Sequence, residues 1–136
     1  MDPSKNEIKP MAKIVPDAST TMAMHRATGL PVMEAKAFII EESPELVRRI
    51  LEGHRVQLMT QTWVRLHDPI EDDPVAGGTV RQVLEQTGSE IEAEHAHERP
   101  RGLCYLIWHT AQKRLLLDHA IVWYTPAQMN PCSCFD

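Results

Sequence analysis

Two long runs of apolar residues dominate the pattern near the C-terminus. They extend from Leu103 to Thr110 and from Leu115 to Tyr124, on either side of the polar run Gln112-Lys113-Arg114. Runs this rich in Leu, Ile, Val, Trp and Tyr are typical of buried strands, and a short polar run between them is typical of a turn. The pattern therefore predicts a β-hairpin at the centre of an antiparallel sheet.

Three further segments carry strand patterns. Residues 37–41 form a short β-prone run, and residues 55–67 alternate between apolar and other side chains with a period of two. Residues 90–97 alternate as well, although Glu and Ala are poor strand formers, so a helix is the alternative there.

Two helices are predicted between these strands. Ser43-Pro44-Glu45 combines an N-cap residue, a first-turn proline and a first-turn acid, and this helix should end at Gly53. A second helix should begin at Thr79 and end at Gly88. The order β-α-β-α-β-β-β predicts an α+β fold, an antiparallel β-sheet of about five strands with two short helices packed on one face.

The proline content divides the chain into three parts. Four prolines in residues 1–31 favour an extended N-terminal arm over residues 1–34. Residues 35–126 are predicted to form a single α+β domain, and residues 127–136 a C-terminal tail. An ordered arm needs a surface to pack on, so we expect a homodimer or another form of self-association.

Composition narrows the possible partners and compartment. The 136 residues carry a net charge of -5 with no basic run, which argues against nucleic acid as a partner. No signal-peptide segment and no 18-residue apolar run is present, so we expect a cytoplasmic protein without a membrane partner. Three cysteines, an odd number, favour reduced thiols over a disulfide framework.

A histidine and an acid share one face of the predicted hairpin. If Thr110 pairs with Leu115, His109 lies diagonal to Asp118, whose carboxylate could orient the imidazole as a general base. The alternative is a polar pair on a partly solvated sheet face, without catalytic use.

A second constellation could hold a metal. On a strand, His95 and His97 project from one face, and Cys132 with Cys134 would complete a Cys2His2 set suited to zinc. The alternative is a solvated edge strand and an unconstrained tail. No cofactor is expected, and zinc is the one candidate.

Aromatic residues indicate a binding surface. Trp63, Tyr105 and Tyr124 combine an apolar ring with a polar group, as interface and pocket residues do. We therefore expect a small binding domain without catalysis, for a small molecule or a protein partner. A small enzyme that uses a His/Asp base or a His/Cys metal site is the alternative.

One resemblance adds a further alternative. The segment from Gly78-Thr79-Val80 through the second helix to Glu90, followed by the hairpin that ends at Tyr124-Thr125-Pro126, resembles the helix-then-hairpin outline of the chorismate-lyase and UTRA effector-binding domains. The resemblance covers less than half of the chain. It implies a small-molecule pocket in an antiparallel α+β fold and assigns no site residue.

Overall fold

The chain folds as helices. The computed structural model describes residues 13–98 and 100–135, and no strand is found in these ranges. The helices are α1 (Ala18–Thr28), α2 (Val32–Glu41), α3 (Pro44–Thr60), α4 (Ala76–Glu94), α5 (Leu103–His119) and α6 (Pro126–Met129), with a 3₁₀ turn at Pro69–Asp72 between α3 and α4. The predicted α+β class and its antiparallel sheet are therefore wrong.

The predicted hairpin is replaced by α5, which continues through the polar run assigned to the turn. Ala111 and Leu115, four residues apart, are fully buried and define one face of the helix. Within the polar run, Arg114 forms an ion pair with Glu90 of α4 at 2.7 Å. The outline that resembled the chorismate-lyase and UTRA domains is lost with the hairpin.

The other predicted strands are also absent. Residues 37–41 lie in α2, residues 55–60 continue α3, and residues 90–94 continue α4. The alternation between apolar and polar residues was a misleading signal, because the packing of these segments in helices outweighs their local strand preference.

The start of the first predicted helix is confirmed. Ser43 is the N-cap of α3, its hydroxyl accepts from the backbone N–H of Leu46 at 3.2 Å, and Pro44 is the first helical residue. The helix nevertheless runs past Gly53, because a helical glycine lowers stability without ending the helix. A Cβ at Gly53 would lie 3.3 Å from Leu66 Cδ2, so this glycine permits close packing.

The segment predicted as an extended arm contains α1 and the first residues of α2. Asp17 caps α1 by accepting from the N–H of Thr20 at 2.7 Å, and this hydrogen bond lowers the pKa of the Asp17 carboxyl. Met24 of α1 is fully buried. Residues 1–12 of the predicted arm lie outside the described residues.

Two apolar clusters form the core. The first joins α1, α2, α3 and α6, and the second joins α4, α5 and the segment that follows α5. The first contains Met24, Ala35, Ile39, Leu46, Val47, Ile50, Leu66 and Met129; the second contains Val80, Val83, Ala111, Leu115 and Trp123.

Asp68 connects the elements around these clusters. Its carboxylate is fully buried and accepts from Arg49 Nη1 at 2.6 Å and from the backbone N–H groups of Tyr124 at 2.8 Å and Ile70 at 3.0 Å. Burial alone would lower the pKa of Arg49, but the hydrogen bond and the charge of Asp68 outweigh burial and raise it. The guanidinium therefore stays charged in this junction.

Candidate functional site

An apolar cavity lies at the C-terminal end of α3. Gln61 follows α3 in the left-handed conformation, with φ of 54°, and turns the chain back along the helix. Residues 62–67 then form one wall and α3 forms the other. The cavity has a volume of about 340 Å³, and its apolar lining comes from Val56, Val64, Leu66 and Pro69.

Hydrogen bonds hold the returning segment against the helix. Gln57 Nε2 of α3 donates to the carbonyl oxygen of Val64. Farther along, the Asn130 side chain accepts from the N–H of Leu66 at 2.9 Å and donates to the carbonyl of the same residue at 2.7 Å. Side-chain hydrogen bonds therefore hold Val64 and Leu66 of this wall in place.

Apolar surface continues outside the cavity. Leu58, Met59, Trp63 and Val64, which we call the apolar rim, are 53%, 70%, 73% and 63% exposed. They lie within seven residues of one another in sequence. Of the four, Val64 also lines the cavity, whereas Leu58 lies about 150° around α3 from the face formed by Val56, Gln57 and Thr60.

One edge of the cavity is polar. His67 Nε2 and Asp72 Oδ2 lie 2.9 Å apart, and both residues line the cavity while remaining about half exposed to solvent. The Thr60 hydroxyl donates to the Val56 carbonyl at 2.8 Å. A ligand in the cavity would meet apolar walls together with polar side chains, those of Gln57, Thr60, Thr62, Arg65, His67 and Asp72.

A second cavity of about 340 Å³ lies between α1 and α2, lined in part by Met22, Val32 and Met33. It is shallower and more open than the cavity at the end of α3. Ligand sites are generally concave with a few converging polar groups, which favours the α3 cavity.

The structure does not bring the predicted general base together. His109 and Asp118 both lie on α5, where nine residues correspond to about 13.5 Å along the helix axis. Both are exposed. The register that placed them diagonally depended on the hairpin, which does not form.

The predicted metal ligands also lie apart from a common site. His95 is the C-cap of α4, His97 lies in the turn after it, and Cys132 and Cys134 are exposed in the segment after α6. Within residues 13–98 and 100–135, no group of three or more His, Cys, Asp or Glu side chains is placed to hold a metal. The Cys2His2 set is not assembled there.

Of the three predicted binding aromatics, Trp63 alone belongs to the apolar rim. Tyr105 packs edge-on against Trp108, with ring centroids 5.6 Å apart, and its hydroxyl accepts from the N–H of Phe135 at 2.9 Å. The Tyr124 ring lies 5.1 Å from the Arg49 guanidinium carbon, in a cation–π arrangement. Tyr105 and Tyr124 therefore support the fold at other places.

Sequence reasoning missed His67 and Asp72. His67 ends the predicted strand over residues 55–67, and no role was predicted for Asp72. The pair Asp68-Pro69, an N-cap followed by a first-turn proline, is a signal for a short helical turn that brings Asp72 back toward His67.

None of the helices in the described part of the chain is long and apolar enough to cross a membrane. No family model matches the chain, and no curated protein or solved structure is significantly similar to it.

Proposed function

We propose that this chain is a cytoplasmic binding module without catalytic activity, and that the α3 cavity and the apolar rim receive an apolar segment of a protein partner. The observation that carries the proposal is that Val64 lines the cavity and is also 63% exposed, next to the exposed Trp63 in sequence. The three free cysteines agree with a reducing compartment.

The extent of the apolar surface favours a protein partner over a small molecule. A volume of about 340 Å³ falls within the roughly 300–1,000 Å³ range of small-molecule sites. A small molecule would cover the cavity and leave Met59 and Trp63 in water, because neither lines it. A protein segment can cover the cavity together with exposed apolar side chains beside it, such as Val64 and Trp63.

A fluorescent apolar probe tests the cavity. We expect 1-anilinonaphthalene-8-sulfonate to bind the full chain saturably, with one site at micromolar affinity. Thr60→Trp places a large ring at the cavity wall and should abolish this binding. Lys113→Trp introduces the same ring at a smaller crevice on α5 and is the matched control. Binding that survives the first variant, or is lost only in the second, would reject the proposal.

General-base catalysis is a second candidate, favoured by the contact between His67 and Asp72. A carboxylate bonded to one ring nitrogen can orient an imidazole. The Thr60 hydroxyl on the cavity wall is already bonded to a carbonyl, which makes it a poor nucleophile.

Hydrolysis of p-nitrophenyl acetate distinguishes the two candidates. A catalytic pair predicts saturable hydrolysis that His67→Gln removes and His97→Gln, at an exposed turn, preserves. A pure binding module predicts the same slow, unsaturated rate in all three proteins.

A further inference from the structure

We propose that Cys132 and Cys134 bind one copper(I) ion through their two thiolates. Both residues lie in the segment that follows α6, and neither lines the α3 cavity. The site therefore adds metal binding to the proposed binding of an apolar segment and does not depend on it.

The two thiols are free, exposed and close together along the chain. Cys132 and Cys134 are both exposed, whereas Ser133 between them and Phe135 after them are partly buried. This alternation places both cysteine side chains on the solvent side of the segment. Two residues span at most about 7 Å of extended chain, so both sulfurs can reach a single ion between them.

The segment is fixed on both sides of the cysteines. Before them, the Asn130 side chain pairs with the backbone of Leu66, and the Asn130 carbonyl accepts from the N–H of Ser133 at 3.0 Å. After them, the Phe135 ring packs edge-on against Trp108, with ring centroids 5.1 Å apart. Fixed flanks reduce the ordering that metal binding would otherwise require.

A positive charge lies beside the pair. Arg65 Nη2 donates to the carbonyl oxygen of Cys134 at 3.4 Å, and the guanidinium carbon of Arg65 lies 4.4 Å from the centroid of the Phe135 ring. Copper(I) bound by two thiolates carries a net negative charge, which a neighbouring guanidinium stabilises.

The type and number of ligands favour copper(I). Thiolates are soft ligands that suit copper(I) and zinc. Structural zinc is almost always held by four ligands, whereas copper(I) is stable with two thiolates in a linear arrangement. The pair supplies two, and in the part of the chain that the structure describes no third His, Cys, Asp or Glu side chain is placed to complete a metal-binding group with it.

Titration of the full chain with copper(I) under nitrogen, in competition with the chelator bicinchoninate, tests the site. We expect one tightly bound ion per chain. Cys132→Ser and Cys134→Ser should each weaken binding by about a hundredfold or more, because loss of an outer-shell group alone costs about 10–100-fold. Cys104→Ser removes a partly buried thiol of α5 and is the matched control. Binding that survives both C-terminal variants, or that Cys104→Ser alone abolishes, overturns the proposal.

Native mass spectrometry of the loaded protein counts ions and chains. We expect one copper ion in a single chain, and an ion shared by two chains would contradict a site within one chain. A parallel titration with zinc(II) tests the choice of metal. Stoichiometric zinc at the two cysteines, together with copper(I) that bicinchoninate removes completely, would reject copper(I) as the ligand.

Phe135→Leu tests whether the fixed segment positions the thiols. Loss of the ring contacts with Trp108 and Arg65 should weaken copper(I) binding roughly tenfold and leave one ion per chain. Leu117→Ser removes an apolar side chain that is 80% exposed on α5 and should keep the wild-type affinity. Equal affinities in the two variants would contradict the positioning role of Phe135. Circular dichroism of every variant confirms that helix content is unchanged.

Discussion

Gly77 and Gly78 are neighbours in the first turn of α4, yet a side chain would meet different surroundings at each. A Cβ on Gly77 would lie 2.2 Å from the backbone oxygen of Glu71 in the 3₁₀ turn, whereas a Cβ on Gly78 has no heavy atom within 4 Å. Gly77→Ala should therefore force the two elements apart and lower the free energy of unfolding by about 2 kcal/mol.

Gly78→Ala is the control for this prediction. It removes backbone freedom from the unfolded chain and should raise the free energy of unfolding by about 0.5–1 kcal/mol. Urea denaturation measures both variants. Equal effects at the two positions would show that the close approach of Gly77 to the 3₁₀ turn does not limit the side chain.

At the scale of the element, local chemistry predicted where α3 begins and failed to predict where it ends. Ser43 and Pro44 act on the first turn through their own hydrogen bond and backbone angle, so the sequence alone is sufficient there. Its end depends on Gln61, a residue without the usual preference for positive φ. The packing of the following segment against the helix holds Gln61 in that conformation.

The same difference between local signals and contacts with other segments explains why the sequence predicted a hairpin where α5 forms. Its Leu, Ile, Trp and Tyr content suits a strand, and Gln112-Lys113-Arg114 suits a turn. The segment nevertheless forms a helix, because Ala111 and Leu115 pack in one apolar cluster with residues of α4 and with Trp123. Those contacts join residues distant in sequence, and a local pattern contains no information about them.

For the candidate site, the sequence indicated Trp63 and missed the cavity. A tryptophan, which combines a large apolar ring with a polar N–H, is a visible signal for a surface. The cavity depends on the return of residues 62–67 along α3, which the strand interpretation of residues 55–67 had excluded.

The Asn130 side chain joins α6 to the cavity wall through two hydrogen bonds with one backbone residue, as a neighbouring strand would. It pairs with both the N–H and the carbonyl of Leu66, and the three groups are buried. Asn130→Asp keeps the acceptor, loses the donor and buries a carboxylate, so the free energy of unfolding should fall by about 2–4 kcal/mol in urea denaturation. Ser89→Ala, at an exposed position of α4, should change it little; a similar loss there would contradict the assignment.

Asp68 and Arg49 should be energetically coupled, because they join α3 to the 3₁₀ turn at 2.6 Å. Asp68→Asn removes the buried charge that pairs with Arg49, which keeps its ion pair with Glu45 at 2.8 Å, and should lower the free energy of unfolding by about 2 kcal/mol. Arg49→Met should cost less in the Asp68→Asn background than in the wild type. A double-mutant cycle measures the difference, and additive losses would mean that the two residues act independently.

At the scale of the whole molecule, acid should destabilise the fold through His54. Burial of this α3 residue, and then the charge of Arg26 on α1, lower the pKa of His54 below its ordinary value. Below about pH 6.5 the unfolded state therefore binds more protons at this position than the folded state. The contribution of His54 is complete above that pH and is lost as the pH falls toward the lower pKa of the folded state.

Urea denaturation at about pH 7.5, 6.5 and 5.5 measures this slope. We expect the free energy of unfolding to fall with pH in the wild type and to fall less in His54→Gln. His97→Gln removes an exposed imidazole and should keep the wild-type slope. Glu52 does not contribute in this window, because its hydrogen bond to Arg55 lowers its pKa further below that range. If the free energy of unfolding of His54→Gln falls with pH as steeply as that of the wild type, the acid sensitivity arises from other histidines. The packing of α1 against His54 of α3 would then not contribute to it.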